Sequence, residues 1–223
     1  MIPLVLVRTN DGSDTLFLKE IGEHYHSTFG AVQESVHVFI EAGLRQCLTQ
    51  SLHLFEVGFG TGLNAYLTAL EATKSRQVIR YITIEKYPLP LAVWEKLNYP
   101  SVIPEGDLKL FRKIHEALWN EEVKITNYFS ILKLSEDLLS VDFSMLPKFD
   151  LIYFDAFSPE KQPELWATSV FCQLSGWCTP SAKIVTYCAK GVVRRSLQEA
   201  GFVMERIPGP VGKREMLRGT KRV

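Results

Sequence analysis

Apolar and polar positions alternate in blocks along most of the chain. The run "LHLFEV" (52–57) is short, apolar and followed by glycine, the pattern of a buried strand. "GLNAYLTALEAT" (62–73) places Leu63, Tyr66, Leu67 and Leu70 at helical spacing. "VIRYITIE" (78–85) reads as a second strand, and "PLPLAVWEKL" (88–97) as a helix with prolines suited to its first turn. Residues 131–134 and "FDLIYFD" (149–155) predict further strands, and Glu164–Ser175 a helix. "AKIVTY" (182–187) is a strand, and "KGVVRRSLQEAG" (190–201) is a helix closed by Gly201. "FVMERI" and "KREMLRGT" predict two final strands forming a hairpin. Strand and helix thus alternate from Leu52 to Gly201, which implies an α/β fold with a mainly parallel, doubly wound sheet. Residues 1–51 break the pattern. "TLFLKE" alternates like a strand, and "ESVHVFIEAGLRQCL" is an amphipathic helix. The expected organisation is a small N-terminal appendage or cap at 1–51 and one α/β domain at 52–223.

Composition narrows the class. With 46% hydrophobic residues among 223, the chain can build a real core. No apolar run reaches the length of a membrane span, and the N-terminus lacks the pattern of a signal peptide. Cys47, Cys172, Cys178 and Cys188 contain no Cys-x-x-Cys pair and read as small apolar residues of a reducing compartment, so a cytoplasmic location is expected. His24, His26 and His37 lack metal-ligand spacing, so no metal site is expected and they read as surface or substrate-contact residues. The net charge is zero but uneven: residues 190–223 hold nine basic side chains against three acids, a local +6. Two readings fit that asymmetry, a polyanion partner or a solvated helix face with a basic terminus.

The candidate chemistry starts at "LFEVGFGTGLN" (54–64). Its glycines, Gly58, Gly60 and Gly62, follow a strand and precede a helix, the context of a nucleotide-type loop. The order is Gly-x-Gly-x-Gly; the dinucleotide fingerprint would need glycine where Leu63 stands. Glu56 beside the loop suits a pyrophosphate poorly, whereas a cationic, phosphate-free cofactor would be favoured. S-adenosylmethionine has a sulfonium, an ammonium and free ribose hydroxyls. Glu85 ends the next strand, where an acid accepts ribose hydroxyls. Asp137 follows the third strand and is placed for the adenine amino group. Together these acids and the loop predict a Rossmann-like S-adenosylmethionine-dependent methyltransferase fold, with a C-terminal antiparallel strand. A related fold binding another ligand is the alternative.

"FDLIYFDAFSPEKQPELW" (149–166) puts Asp155 at a strand's carboxyl end, where such sheets open their sites. A carboxylate there can orient an amine and attract its proton, or simply form a turn. Asp150 reads as structural. Phe157 and Trp166 could stack on a base or pack in the core, and the helical spacing of Trp166 from Val170 favours core.

"EVGFGTGLN", "FDLIYFDAFSPEKQPELW", "VVRRSLQEAGF" and "GKREML", with "DGSDTLFLKEIGEHYHSTFGAVQESVHVFIEAGL" near the N-terminus, resemble the MnmC methyltransferase domain and its stand-alone form, MnmD. The resemblance spans nearly the whole chain. It implies methylation of the exocyclic amine of 5-aminomethyl-(2-thio)uridine at the tRNA wobble position, with S-adenosylmethionine as cofactor and the tRNA anticodon loop as partner. By motif, Glu56, Gly58, Gly60, Gly62 and Asn64 belong to the cofactor loop, Glu85 to the ribose and Asp137 to the adenine side. Asp155 is the catalytic candidate and also touches the cofactor. Tyr25, Ser27, Gln33 and Glu34 match a signature lining the cofactor and substrate cleft, and Lys213, Arg214 and Glu215 a C-terminal one. Substrate contacts are expected from Ser27 and Phe157, and from Lys190, Arg194, Arg195, Lys213 and Arg214 as a basic strip on tRNA phosphates. Two departures from the family pattern stand out. No flavin-dependent oxidase is expected within 223 residues, so an aminomethyl precursor rather than the carboxymethylaminomethyl form is the expected substrate. Cys188 and Lys190 replace small or hydroxyl residues. The competing readings are a small-molecule amine methyl- or aminopropyltransferase on the same fold, and a lapsed enzyme acting as an RNA-binding module.

Overall fold

The computed structural model describes residues 4–222; residues 1–3 and 223, at the outer ends of the two expected units, lie outside the described residues. Strands β1 (Leu4–Arg8), β2 (Asp14–Leu18) and β3 (Glu23–His24) form a three-stranded antiparallel sheet. Helix α1 (Ala31–Ser35) continues as a π-helix over Val36–Glu41. The α/β region then runs β4 (Ser51–Val57), α2 (Leu63–Ser75), β5 (Val78–Ile84), α3 (Leu91–Trp94), α4 (Tyr99–Val102) and α5 (Leu108–Glu116). It continues through β6 (Glu122–Lys124), β7 (Phe129–Leu134), β8 (Phe149–Phe154), α6 (Thr168–Gly176), β9 (Cys178–Thr186) and α7 (Gly191–Glu199). Strands β10 (Phe202–Pro208) and β11 (Glu215–Lys221) close the chain as a hairpin.

The main sheet has the order β10-β11-β9-β8-β4-β5-β7-β6. Five neighbouring strands, β9-β8-β4-β5-β7, are parallel; the β10–β11 hairpin on one side and β6 on the other add antiparallel strands. This is the expected Rossmann-like methyltransferase fold. Side chains alternate between two apolar layers, as the period of two along a strand requires. Leu54, Tyr81, Ile131 and Tyr153 face one layer with α2 and α5, and Phe55, Ile82, Ile152 and Phe154 face the other with α6 and α7. Ala31, Val38, Phe39 and Ile40 join the first layer, so the N-terminal segment shares the main core.

The register positions the site. Val57 pairs with Ile84 on one side and Phe154 on the other, so the next residues, Gly58, Glu85 and Asp155, emerge together at the carboxyl edge.

Several elements differ from the sequence reading. The helix expected at 88–97 is only Leu91–Trp94, because Pro90 is extended, with ψ 155°. The helix expected from Glu164 to Ser175 divides into a 3-10 turn, Pro163–Trp166, and α6, separated by extended Ala167. The segment 34–48 is not one helix: α1 passes into a π-helix, and a 3-10 turn at Leu44–Gln46 follows Gly43. Strand β9 starts four residues before the expected 182 and shifts register against β8 between Phe149 and Leu151. Helix α5 was not foreseen, although Asp107 caps it by accepting from the Lys109 and Leu110 amides, and Leu110, Phe111 and Ile114 give it a buried stripe.

Candidate active site and cofactor cleft

A cleft of about 1230 Å³ opens at the carboxyl edge of the parallel strands. Pockets for one small ligand typically span ~300–1,000 Å³, so this one has room for a cofactor and part of a second molecule. Its floor is the glycine loop. Gly58, Gly60 and Gly62 have φ of 89°, 48° and 70°, in the left-handed region. A Cβ on Gly58 would lie 2.7 Å from the Asp155 carbonyl oxygen, so the loop rests directly on the turn after β8. A Cβ on Gly62 would meet the His115 ring at 2.7 Å, and one on Gly60 would crowd the Tyr25 ring at 3.1 Å.

Glu85 takes two backbone hydrogen bonds, from the Gly60 amide at 3.0 Å and the Tyr87 amide at 2.9 Å. Burial raises its pKa, against the pull of those amides. The carboxyl is half-buried on the cleft wall, and its remaining lone pairs can accept from a ribose diol. Asp137 also lines the cleft, but its Oδ2 accepts from Lys86 Nζ at 2.7 Å, and that bond is the main cause of its lowered pKa. A ligand amino group there would have to share the carboxylate with Lys86.

Asp155 stands at the centre of the cleft. Its Oδ2 accepts from Asn64 Nδ2 at 2.8 Å, and its amide donates to the Val57 carbonyl at 3.1 Å. The carboxylate therefore bonds across to α2 rather than serving its own turn. Burial, then the nearby charge of Glu34, raise its pKa to about 7, with Asn64 and Lys213 opposing. Glu34, only 7% exposed, accepts from the Ser27 amide at 2.8 Å and from Lys213 Nζ at 2.7 Å. Lys213 Nζ also sits 4.0 Å from the centre of the Tyr187 ring, a cation–π contact, and Tyr187 donates to the Ala156 carbonyl at 2.9 Å. Tyr25 and Phe157 meet edge to face at 5.0 Å and form an aromatic wall.

The cleft thus gathers Tyr25, Ser27, Glu34, Gly58, Gly60, Asn64, Glu85, Asp137, Asp155, Phe157 and Lys213. Other expected residues lie elsewhere. Glu56 is fully buried behind the loop, and Gly62 shapes the loop from below against His115. Gln33 is exposed on α1, outside the cleft wall. Lys190 is ion-paired with Glu160, Arg194 is half-buried on α7, and Arg195 and Arg214 are exposed away from the cleft lining. Arg206 and Arg218 are paired with Glu215 and Glu205, so much of the basic tail is locally neutralised. Trp166 is core, and its Nε1 donates to the Phe157 carbonyl at 2.7 Å, bracing the Asp155 turn. Asp150 accepts from the His53 amide and the Thr179 hydroxyl, the structural role expected of it. His26, expected at the surface or against substrate, lines the cleft wall, where its Nε2 lies 2.7 Å from Thr61 Oγ1 and burial lowers its pKa to about 4. Tyr187, which lines the cleft, was missed, because nothing in its local pattern separates it from a core residue.

Residues 109–222, about half the chain, match the family model described as S-adenosyl-L-methionine-dependent methyltransferase. The chain belongs to this family. The cofactor of this methyltransferase is S-adenosylmethionine, and the glycine cradle, whose space a Cβ would fill, and the acceptor Glu85 fit it. The methyltransferase is also similar to the tRNA 5-methylaminomethyl-2-thiouridine biosynthesis bifunctional protein MnmC of Pseudomonas savastanoi pv. phaseolicola, with 32% identity over 221 residues, covering 91% of this chain and 32% of the relative. The protein of the same name from Campylobacter hominis is 32% identical over 203 residues, covering 90% of this chain and 30% of the relative. The chain thus spans about a third of the length of the curated relatives it matches. Among solved structures, MnmC2 from Aquifex aeolicus superposes with a TM-score of 0.74 at 26% identity, covering 98% of this chain and 70% of that one. No helix among the described residues is long and apolar enough to cross a membrane.

Proposed function

We propose that this methyltransferase transfers a methyl group to the exocyclic amine of 5-aminomethyl-(2-thio)uridine at the wobble position of tRNA, giving the 5-methylaminomethyl product. The observation carrying this reading is Asp155, a carboxylate with a pKa of about 7, at the meeting point of the glycine cradle and an aromatic wall. The names of the similar proteins point to the same product.

Bound S-adenosylmethionine supplies an electrophilic methyl group on a sulfonium. The residues of this chain do the rest. Tyr25 and Phe157, packed edge to face, form the aromatic wall against which the extruded base rests. Asp155, oriented by Asn64, accepts a hydrogen bond from the aminomethyl nitrogen. Only the neutral amine is nucleophilic, and a carboxylate stabilises the ammonium form, so Asp155 orients the amine and takes its proton as the N–C bond forms. A base with a pKa near neutrality suits that task. Much of the remaining acceleration comes from alignment of the reacting atoms. In this reading the segment expected as a cap, 1–51, contributes Tyr25, Ser27 and Glu34 to one cleft wall, while exposed Arg195 and Arg214 bind anticodon-loop phosphates.

The test is transfer of labelled methyl from S-adenosylmethionine to bulk tRNA from cells lacking 5-methylaminomethyl-uridine, followed by nucleoside analysis. The expected result is label in that nucleoside alone. Label in small amines, with tRNA untouched, would favour the small-molecule amine transferase.

A further inference from the structure

Glu56 carries the first acid of the glycine-loop motif, yet its side chain has no exposed surface and takes no part in the cleft wall. Its Oε2 accepts from the Thr83 hydroxyl at 2.7 Å on the neighbouring strand. Its Oε1 has no partner, and two other buried oxygens beside it are equally orphaned: Asn64 Oδ1 and Tyr81 Oη. Burial, the largest influence, and the charge of Asp155 favour the neutral form of the Glu56 carboxyl, whereas Thr83, Tyr81 and Asn64 face it and favour the ionised one. Orphaned buried polar atoms are costly, and a group of three needs an explanation.

One proton resolves most of it. Asn64 Nδ2 is committed to Asp155, so the amide oxygen points the other way and needs a donor. An ionised Glu56 has none to offer. A protonated Glu56 donates through Oε1–H to Asn64 Oδ1, while Tyr81 O–H is free to donate to the same carboxyl. The charged and titratable surroundings agree. Asp155 disfavours a second negative charge here, Tyr81 and Tyr153 are buried phenols, and the cationic Lys133 lies two strands away in the same row of the sheet, with Thr83 between. Burial raises the Glu56 pKa to about 8.

We propose that Glu56 is a positioning residue: a neutral carboxylic acid that fixes the Asn64 amide, and through it the Asp155 carboxylate, rather than a ligand of the cofactor. The consequence for turnover rests on the amine-methylating role given to Asp155; the protonation state of Glu56 does not.

The test compares E56A, E56Q and N64A for S-adenosylmethionine affinity by calorimetry, for turnover on tRNA, and for the infrared band of a protonated carboxyl. The difference spectrum of wild type minus E56Q at pH 7 should show a protonated-carboxyl band, beyond the share that Asp155, with a pKa of about 7, contributes to both. E56A should lose turnover about 10²-fold, the scale of a misplaced catalytic group, with cofactor affinity changed less than about threefold. E56Q, which keeps both a donor and an acceptor, should recover most of that loss. E56A/N64A should be no worse than the poorer single variant, since the two act on one path. A weakened cofactor with kcat intact, an E56Q as poor as E56A, or no protonated band in the difference between wild type and E56Q would overturn the proposal. Should wild type itself fail to methylate tRNA, the substrate reading falls, and the band and the affinities still decide the state of Glu56. Should E56A not fold, E56Q and N64A carry the comparison.

Discussion

Lys213 Nζ lies 2.7 Å from Glu34 Oε1, tying the loop before β11 to α1 at the wall of the cleft. The partners are unequal. Glu34 is almost wholly buried, whereas Lys213 keeps about a third of its side chain exposed. Removing Lys213 therefore strands a buried carboxylate. For a fully buried pair that costs ~3–5 kcal/mol; with one partner a third exposed, K213A should lose about 1–3 kcal/mol in denaturant unfolding.

The same pair tunes Asp155. Lys213 lowers its pKa and Glu34 raises it. The acid limb of kcat/KM, which reports the free enzyme, should fall near pH 7 in wild type, because Asp155 must be ionised to take the proton. K213A should move that limb to higher pH and E34Q to lower pH. The pH–rate profiles check both directions at once.

D155A should lower turnover by about 10²–10⁴-fold, the usual contribution of a positioned proton acceptor. Cofactor affinity should be nearly unchanged, because the cradle and Glu85 remain. Calorimetry beside a turnover assay separates the two effects; turnover near wild type would remove Asp155 from the chemistry.

G58A should be the most damaging of the loop variants. Its Cβ meets backbone, the Asp155 carbonyl oxygen, which cannot swing away, and its φ is 89°. Strain of this kind costs ~1–3 kcal/mol, on top of the steric displacement. G60A meets only the edge of the Tyr25 ring and should be milder. S-adenosylmethionine titrations of both variants should rank G58A well below G60A.

The folded state raises the Glu56 pKa from 4.5 to about 8. Native protein thus binds the extra proton between those values, and stability falls as pH rises through the window. The contribution is complete below about 4.5 and lost above about 8. E56Q carries no such charge, so its melting temperature relative to wild type should rise between pH 5 and pH 9. A difference independent of pH would contradict a protonated Glu56.

The loop, Glu85 and Asp155 were legible in the sequence because strand ends, glycines and acids have local signatures, and parallel register brings the three strand ends level. The helices were less so. Ala167 and Pro90 take extended conformations that periodicity does not register, and the π-helical segment keeps a helical pattern while changing which residues face inward. The site's electrostatics were hidden for a different reason. Glu56 looks like a cleft residue in the motif, and only its position between Thr83, Tyr81 and Asn64 shows that it faces the core. The basic strip was counted correctly as charge, but pairing with Glu160, Glu34, Glu215 and Glu205 is a tertiary fact no count contains.

The most direct test of the account is a single-turnover methylation of two anticodon stem-loops that differ only at the wobble base, one carrying 5-aminomethyl-uridine and the other uridine. The account predicts one methyl group on the aminomethyl nitrogen of the first, none on the second, and loss of that product in D155A. Equal methylation of both, or product formed undiminished by D155A, would contradict it.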